Sequence, residues 1–515
     1  MKIERTKNAA RNVFFGWILK LYQIIVPFLM RTAMIYFMGV QYLGLNSLFT
    51  SVLQVLNLAE LGVGSAMVYS MYKPIAEDDT DTICALMRLY KLYYRVIGCV
   101  IAGVGIILTP FIPNLISGDV PDGVNVYILY LLNLGTTVLS YWLFAYKNSI
   151  LQAYQRVDVT SKVTLITSAV QYLLQFLALL LLRDYYVYVI VALFTQALTN
   201  VLTAFVSNKM YPNYKPRGKL DKEVVRGINH RIRDLFTAKL GSVIVNSVDT
   251  IVISAFLGLT VLAVYQNYYY ILNSIIGVVA IIFTACTAGI GNSIVSESQE
   301  KNYNDLEKFT FLIAWLAGFC TCCLLCLYQP FMKIWVGEDL TLALPVVICM
   351  CAYYFIYEMN KTLVTFKDAA GLWHEDRFRP LTAALVNLAL NLALVNFWGL
   401  YAIVLSTVIS MLGIATPWLL YNLFTVLFDR KLLKGYLKKF FFYYLIVAIA
   451  CAVTYFICDL VTLPDWPTFI IRGIICCIVP NIIFFIIYRN RLEFKQCLQL
   501  VDKVTHGKLH LAARF

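Results

Sequence analysis

Apolar stretches of about twenty residues or more follow one another along most of this 515-residue chain. That succession restricts the fold more than any other feature. A helix rises ~1.5 Å per residue, so about twenty apolar residues cross the ~30 Å hydrocarbon core of a bilayer. The polar segments between the stretches are short, with no room for a soluble domain of ordinary size. The chain is 60% hydrophobic and 14% charged, whereas soluble domains carry about 25% charged residues. Runs of this length do not alternate in the ten-residue pattern of a membrane β-barrel. The sequence therefore predicts an all-α polytopic membrane protein.

About fourteen transmembrane helices are expected, over 13–38, 44–72, 91–117, 124–148, 162–183, 185–207, 236–258, 260–293, 307–329, 342–366, 378–398, 400–427, 437–459 and 468–489. Two divisions rest on tight turns, at Arg183-Asp184 and at Asn396-Phe397-Trp398-Gly399. The first stretch is too long and too charged for a cleaved signal peptide. The net charge is +13, and Lys and Arg concentrate in the segments on one side. Those on the other side hold only Arg183, Lys333 and Arg472. The positive-inside rule then places both termini in the cytoplasm. The basic clusters Lys209 to Arg233, Arg430 to Lys439 and the tail after Arg489 suit anionic membrane lipids, and no nucleic-acid partner is needed to explain them.

The 14 cysteines fall almost entirely within the apolar stretches. Cys323-x-x-Cys326 has a redox or zinc spacing, but Cys320, Cys322, Cys323 and Cys326 lie on one continuous helix without a turn or a nearby His. They read as packing residues, and no metal site or cofactor is expected.

The two halves of the chain resemble each other. Tyr36-Phe37-Met38-Gly39-Val40-Gln41-Tyr42-Leu43 is answered, 219 residues later, by Ala255-Phe256-Leu257-Gly258-Leu259-Thr260-Val261-Leu262. Gly62-Val63-Gly64-Ser65 is answered by Gly289-Ile290-Gly291-Asn292. Six spans separate the partners, so the repeats are parallel, a plan that sets a transporter's site at the interface between halves. The expected organisation is an N-terminal six-helix lobe (1–207), a basic cytoplasmic linker (208–235), a C-terminal six-helix lobe (236–427), two additional transmembrane helices (428–489) and a basic cytoplasmic tail (490–515).

Charge inside the spans marks the candidate site. Lys20 and Arg31 share the first span. Eleven residues at about 100° each bring them within ~20° of the same face. A cation at mid-bilayer costs about 2.5–3.5 kcal/mol on insertion scales and is kept for a use. The offset of 219 pairs Lys20 with Lys239. Lys20, Arg31 and Lys239 are the expected anion-binding residues. Gln23, Gln54, Asn57, Glu60, Asn246, Asp249, Asn267 and Glu358 are the expected cavity-lining or ion-coupling residues. Glu358 and Lys361, three apart, could pair with each other.

No Walker loop, zinc-binding His-Glu-x-x-His helix or Gly-x-Ser-x-Gly elbow occurs. No catalytic residue is expected, and the protein is read as not an enzyme.

Tyr42-Leu43-Gly44-Leu45-Asn46-Ser47-Leu48-Phe49, Leu58-Ala59-Glu60-Leu61-Gly62-Val63-Gly64-Ser65-Ala66 and Tyr72-Lys73-Pro74 resemble the polysaccharide/oligosaccharide flippases (Wzx-type) of the multidrug/oligosaccharidyl-lipid/polysaccharide exporter superfamily. The resemblance implies alternating-access transport of a polyprenyl-pyrophosphate-linked glycan across the bacterial cell membrane. It implies H+ or Na+ as a coupling ion, and a polysaccharide polymerase and glycosyltransferases as partners. The rival expectations are a cation-coupled multidrug exporter, a lipid II flippase and a non-transporting scaffold of a glycan-synthesis complex. Intramembrane cations outnumber the acids Glu60, Asp249 and Glu358, which favours an anionic substrate.

Overall fold

A computed structural model describes residues 5–118 and 120–504, with side-chain surroundings for all of these except residues 5–10, 13, 234, 237–239, 242, 245–246, 285, 288 and 500–504. Among the described residues all regular structure is helical. Ten helices are long and apolar enough to cross a membrane, or eleven if Val126–Trp142 and Ala145–Ala153, bent by 46°, form one span. The protein is a multi-pass membrane protein. The number is below fourteen for identifiable reasons. Helices Lys222–Leu257 and Leu344–Ala369 are not among the ten, and the run Trp373–Leu427 counts once. Glu358, Lys361, Lys367 and Asp368 fall in the second half of Leu344–Ala369, and the run Trp373–Leu427 is broken at Gly399 (φ 55°, ψ −134°), where the tight turn is expected.

The chain forms two compact units, Met1–Ala263 and Val264–Phe515. The first contains α1 (Arg5–Phe37), α2 (Val40–Leu56), α3 (Val63–Ala76), α4 (Thr80–Leu108), α5 (Val126–Trp142), α6 (Asn148–Ala153), α7 (Val157–Leu177), α8 (Tyr185–Met210) and α9 (Lys222–Leu257). Asp79, Asn125 and Asp184 start α4, α5 and α8 by accepting from backbone amides of the first turn, which satisfies donors that a helix leaves open. α1 lies along α7, with Tyr22 beside Tyr172 and Phe37 beside Phe176. α9 packs on α2 and α3, so this unit extends beyond the lobe boundary expected at residue 207. Small residues permit the close approach: a β-carbon on Gly44 would overlap the Leu259 carbonyl.

The linker after α8 is folded, not loose. Arg88 donates to the Gly218 carbonyl (2.8 Å) and Tyr93 to Asn229 (2.6 Å). Tyr154 stacks on Tyr211 and Tyr214, and Lys147 donates to the Tyr214 carbonyl (3.0 Å).

The second unit takes up the chain within α10 (Leu259–Ser296). It continues through α11 (Gln299–Val336), α12 (Leu344–Ala369), α13 (Trp373–Asp376), α14 (Arg379–Ser410), α15 (Thr416–Asn422), α16 (Arg430–Asp459), α17 (Asp465–Tyr488) and α18 (Leu492–Val504). α11 is its axis and packs on α12, α16, α17 and α18. Trp315 donates to Asn481 (2.8 Å) and stacks on Phe494 of α18 (5.7 Å between centroids). Lys439 joins Glu307 (2.8 Å) and Glu493 (2.6 Å), pinning α18 to the helices it follows.

Left-handed backbone positions recur along the chain. Gly39 and Gly258, and likewise Gly118 and Gly337, stand 219 residues apart; Gln155 and Gly371, and Arg183 and Gly399, stand 216 apart; all eight have positive φ. Six of the eight are glycines, which adopt this conformation without strain; Gln155 and Arg183 are the exceptions.

Candidate functional site

The second apolar stretch, expected as one continuous span, is interrupted in its middle. α2 ends at Leu56, Asn57–Glu60 form a 3-10 turn, and Gly62 (φ 88°, ψ −19°) starts α3. A mid-span break exposes backbone and turns a side chain out of the helical register. Here that side chain is Glu60. Its Oε1 accepts from Tyr94 (3.2 Å), whose hydroxyl in turn accepts from Tyr90 (2.5 Å). Asn57 accepts from Tyr141 (3.2 Å). Gly64 keeps the space open, since a β-carbon there would stand 3.1 Å from the Tyr90 hydroxyl and 3.2 Å from Glu60 Oε1.

Glu60 faces a cavity of about 350 Å3 within the first unit. Its walls come from α3, α4, α6, α7 and α8, and include Ser65, Asn148, Gln152, Thr164 and Asn200. Asn148 Oδ1 is buried without a hydrogen-bond partner, a cost native structures seldom bear without reason. A carboxylate, an open amide oxygen and hydroxyls present oxygen ligands, the chemistry of a hard cation or a proton.

The other expected site residues are spread more widely. Lys20 and Gln23 stand exposed on α1, and Arg31 is half-buried, close enough to act electrostatically on Tyr188 of α8. Gln54 is exposed on α2, and Asp249 is buried on α9. The side chains of Lys239 and Asn246 lie outside the described residues. In the second unit Asn267 is fully buried. Glu358, only 1% exposed, has an Oε1 without a hydrogen-bond partner. Among the described residues no ion pair joins Glu358 to Lys361, although Lys361 acts on it electrostatically. Other polar residues of the spans have structural work instead. Asn12 donates to the Gln155 carbonyl (3.0 Å) and accepts from the Asp158 amide (2.8 Å), tying α1 to the start of α7. Thr50, Thr284 and Thr287 donate to carbonyls one turn back in their own helices, as hydroxyls in apolar helices do.

Sequence reasoning missed Tyr90, Tyr94, Tyr141, Asn148 and Gln152. Each lies in a stretch that reads as apolar or as a loop, and only the packing of α4, α5 and α6 around Asn57 and Glu60 joins them. The signal within reach was Gly62-Val63-Gly64 directly after Glu60, two glycines where an unbroken helix has no use for them.

A family model described as "Polysaccharide biosynthesis protein" matches residues 9–288. No curated protein matches the sequence. Among solved structures, the lipid II flippase MurJ in an inward closed conformation is similar, with TM-score 0.69 and 17% identity over 93% of this chain and 99% of that one. An inward-facing multidrug resistance MATE family transporter of the MOP superfamily follows, with TM-score 0.60 and 15% identity over 82% and 99%. A mutant of the Vibrio cholerae MATE transporter VcmN gives TM-score 0.55 and 13% identity over 81% and 96%. At these identities the likeness is one of fold. With more than half of its length matched by the family model, the chain belongs to the polysaccharide biosynthesis protein family and is built on the fold of the MOP-superfamily transporters.

Proposed function

We propose that this protein is a flippase that carries a polyprenyl-pyrophosphate-linked oligosaccharide from the cytoplasmic to the outer leaflet of a bacterial cell membrane by alternating access. The observation that carries the reading is the cationic face of α1 in a member of this family: exposed Lys20 and half-buried Arg31 on a membrane-length helix. A pyrophosphate cannot cross hydrocarbon bare, and ammonium and guanidinium groups replace its water. Lys20 and Lys239 take the pyrophosphate first, and Arg31, farther along α1, receives it on the outward step. Both termini are cytoplasmic, on the strength of the charge bias.

The recurrence of positive-φ positions at 216–219 residues supports two parallel six-helix repeats plus α16 and α17, fourteen spans in all. The Glu60 cavity and the buried Glu358 take a coupling H+ or Na+. An apolar cavity of about 560 Å3 among α11, α12, α14 and α16, lined by Leu325, Ile348, Phe355, Leu412 and Tyr455, suits the polyprenyl tail. Polymerase and glycosyltransferase partners, and the absence of enzymatic activity, belong to the same reading. A lipid II flippase shares its pyrophosphate chemistry; a multidrug exporter does not, and would select acids over the cations on α1.

Reconstituted liposomes test this. A phosphate contact with a charged donor contributes about 1.5–3 kcal/mol, or roughly 10- to 100-fold in affinity. Lys20→Ala and Lys239→Ala are expected to flip a lipid-linked pyrophosphoryl oligosaccharide more slowly, by about tenfold or more, at sub-saturating substrate. Variants that insert normally and flip at the wild-type rate would remove the pyrophosphate-capture role.

A further inference from the structure

Three cysteines distant in sequence meet inside the second unit. Cys326 of α11, Cys458 of α16 and Cys476 of α17 are each at most 1% exposed, and their sulfurs lie within 4.8 Å of one another. Cys323, one turn before Cys326, packs against the trio. The Cys323-x-x-Cys326 pair thus finds on α16 and α17 the partners that its own helix could not supply.

We propose that Cys326, Cys458 and Cys476, joined by Cys323, bind a soft d10 metal ion, Zn2+ or Cu+, that clamps α16 and α17 to α11. Zinc–thiolate bonds of about 2.3 Å put tetrahedral sulfurs ~3.8 Å apart, a contraction of about 1 Å or less from the spacing here. Cu+ takes the same thiolates in a three-coordinate site. Each thiol that coordinates releases its proton to solvent, so four thiolates around Zn2+, or three around Cu+, leave two net negative charges. A cation that offsets part of this charge is in place. Arg472 of α17 acts electrostatically on Cys458, its carbonyl accepts from the Cys458 thiol (4.0 Å), and its Nε is buried without a hydrogen-bond partner. Packing alone explains neither three sulfurs from three helices nor an unpartnered guanidinium nitrogen beside them. The nearby Cys322–Cys451 pair (3.4 Å) is only a pair and carries no such argument.

The test uses the full chain, purified in detergent without oxygen and analysed by elemental mass spectrometry. The wild-type protein is expected to hold near-equimolar zinc or copper, and equal supply of both ions during expression shows which it retains. Its Cys458 and Cys476 should resist alkylation until a chelator is added. The Cys458→Ser/Cys476→Ser double variant should lose the metal, while Cys477→Ser, at an exposed neighbouring thiol, should keep it. Loading with Co2+ should give a thiolate charge-transfer band absent from the double variant. The proposal is overturned if the wild type neither copurifies with metal nor retains added Zn2+ or Cu+ after desalting. It is equally overturned if the double variant holds as much metal as the wild type, or if peptide mapping finds a Cys458–Cys476 disulfide. Alkylation protection is read on the wild type, so a double variant that fails to fold leaves the proposal open to refutation.

Discussion

Replacing Gly62 by alanine should unseat Glu60, and the structure sets the scale. Gly62 holds φ 88° at the joint between the 3-10 turn and α3. Placing a side chain in left-handed backbone costs about 1–2 kcal/mol. The new β-carbon would also stand 2.6 Å from Leu235 Cβ and 3.1 Å from the Ile232 carbonyl of α9. Neither atom is the free end of a flexible side chain, so α9 or the turn must move. Overpacking of this kind costs a further 1–3 kcal/mol or so. The sum is roughly 2–5 kcal/mol, and even 2 kcal/mol lowers a folding equilibrium about 30-fold. Gly103→Ala is the control: it lies in α4 with nothing within 4 Å of the added carbon, and should be neutral or gain about 0.5–1 kcal/mol. Aliquots heated in detergent and passed over a sizing column give the temperature of half-recovery for each variant. Transport in liposomes then tests whether the displaced turn disturbs Glu60. Gly62→Ala with the stability and transport of wild type would refute the reasoning that this joint is strained into place to present the carboxylate.

Tyr94→Phe removes the hydroxyl donor to Glu60 and should weaken any coupling-ion dependence of flipping severalfold, with the fold retained, measured as the ion concentration giving half-maximal rate. Arg31→Ala should slow flipping at saturating substrate more than it raises the substrate concentration needed, if Arg31 serves the outward step; an effect on apparent affinity alone would place it with initial capture. The docking of α18 should be acid-sensitive. Burial pushes Glu493 up, but the Lys439 hydrogen bond and charge outweigh it and hold its carboxyl below the ordinary value. A depressed carboxylate contributes stability above its unfolded pKa and loses it as pH falls through the folded one. Trp315 fluorescence, which senses Phe494 of α18, should therefore change as pH drops below the ordinary carboxylate range, and Lys439→Met should produce that change at neutral pH.

The fold was legible in the sequence because bilayer physics leaves few choices. A run of twenty apolar residues has one way to satisfy its backbone in hydrocarbon, and turns must fall where Gly, Asn or Asp interrupt it. Arg183 and Gly399 break the chain at the expected places. Asn57 and Glu60 were identifiable too, because a carboxylate in an apolar stretch is expensive wherever it sits. Their surroundings were not. Whether Asn12 lines a cavity or caps a neighbouring helix depends on which way α1 is rotated against α7, and periodicity does not fix that rotation.

The sequence by itself determined the membrane, the helical class and the cost of each buried charge, since these follow from local composition and the length of a bilayer. Tertiary structure alone decided what each costly group meets. It broke the second span at Gly62, surrounded Glu60 with tyrosines from α4, gathered α9 into the first unit, and brought Cys326, Cys458 and Cys476 together from three helices. Those contacts join residues as far apart in sequence as Gly62 and Leu235, or Cys326 and Cys476. They arise from side-chain packing between helices, which hydropathy does not encode, because lipid and a neighbouring helix look equally apolar to each of them.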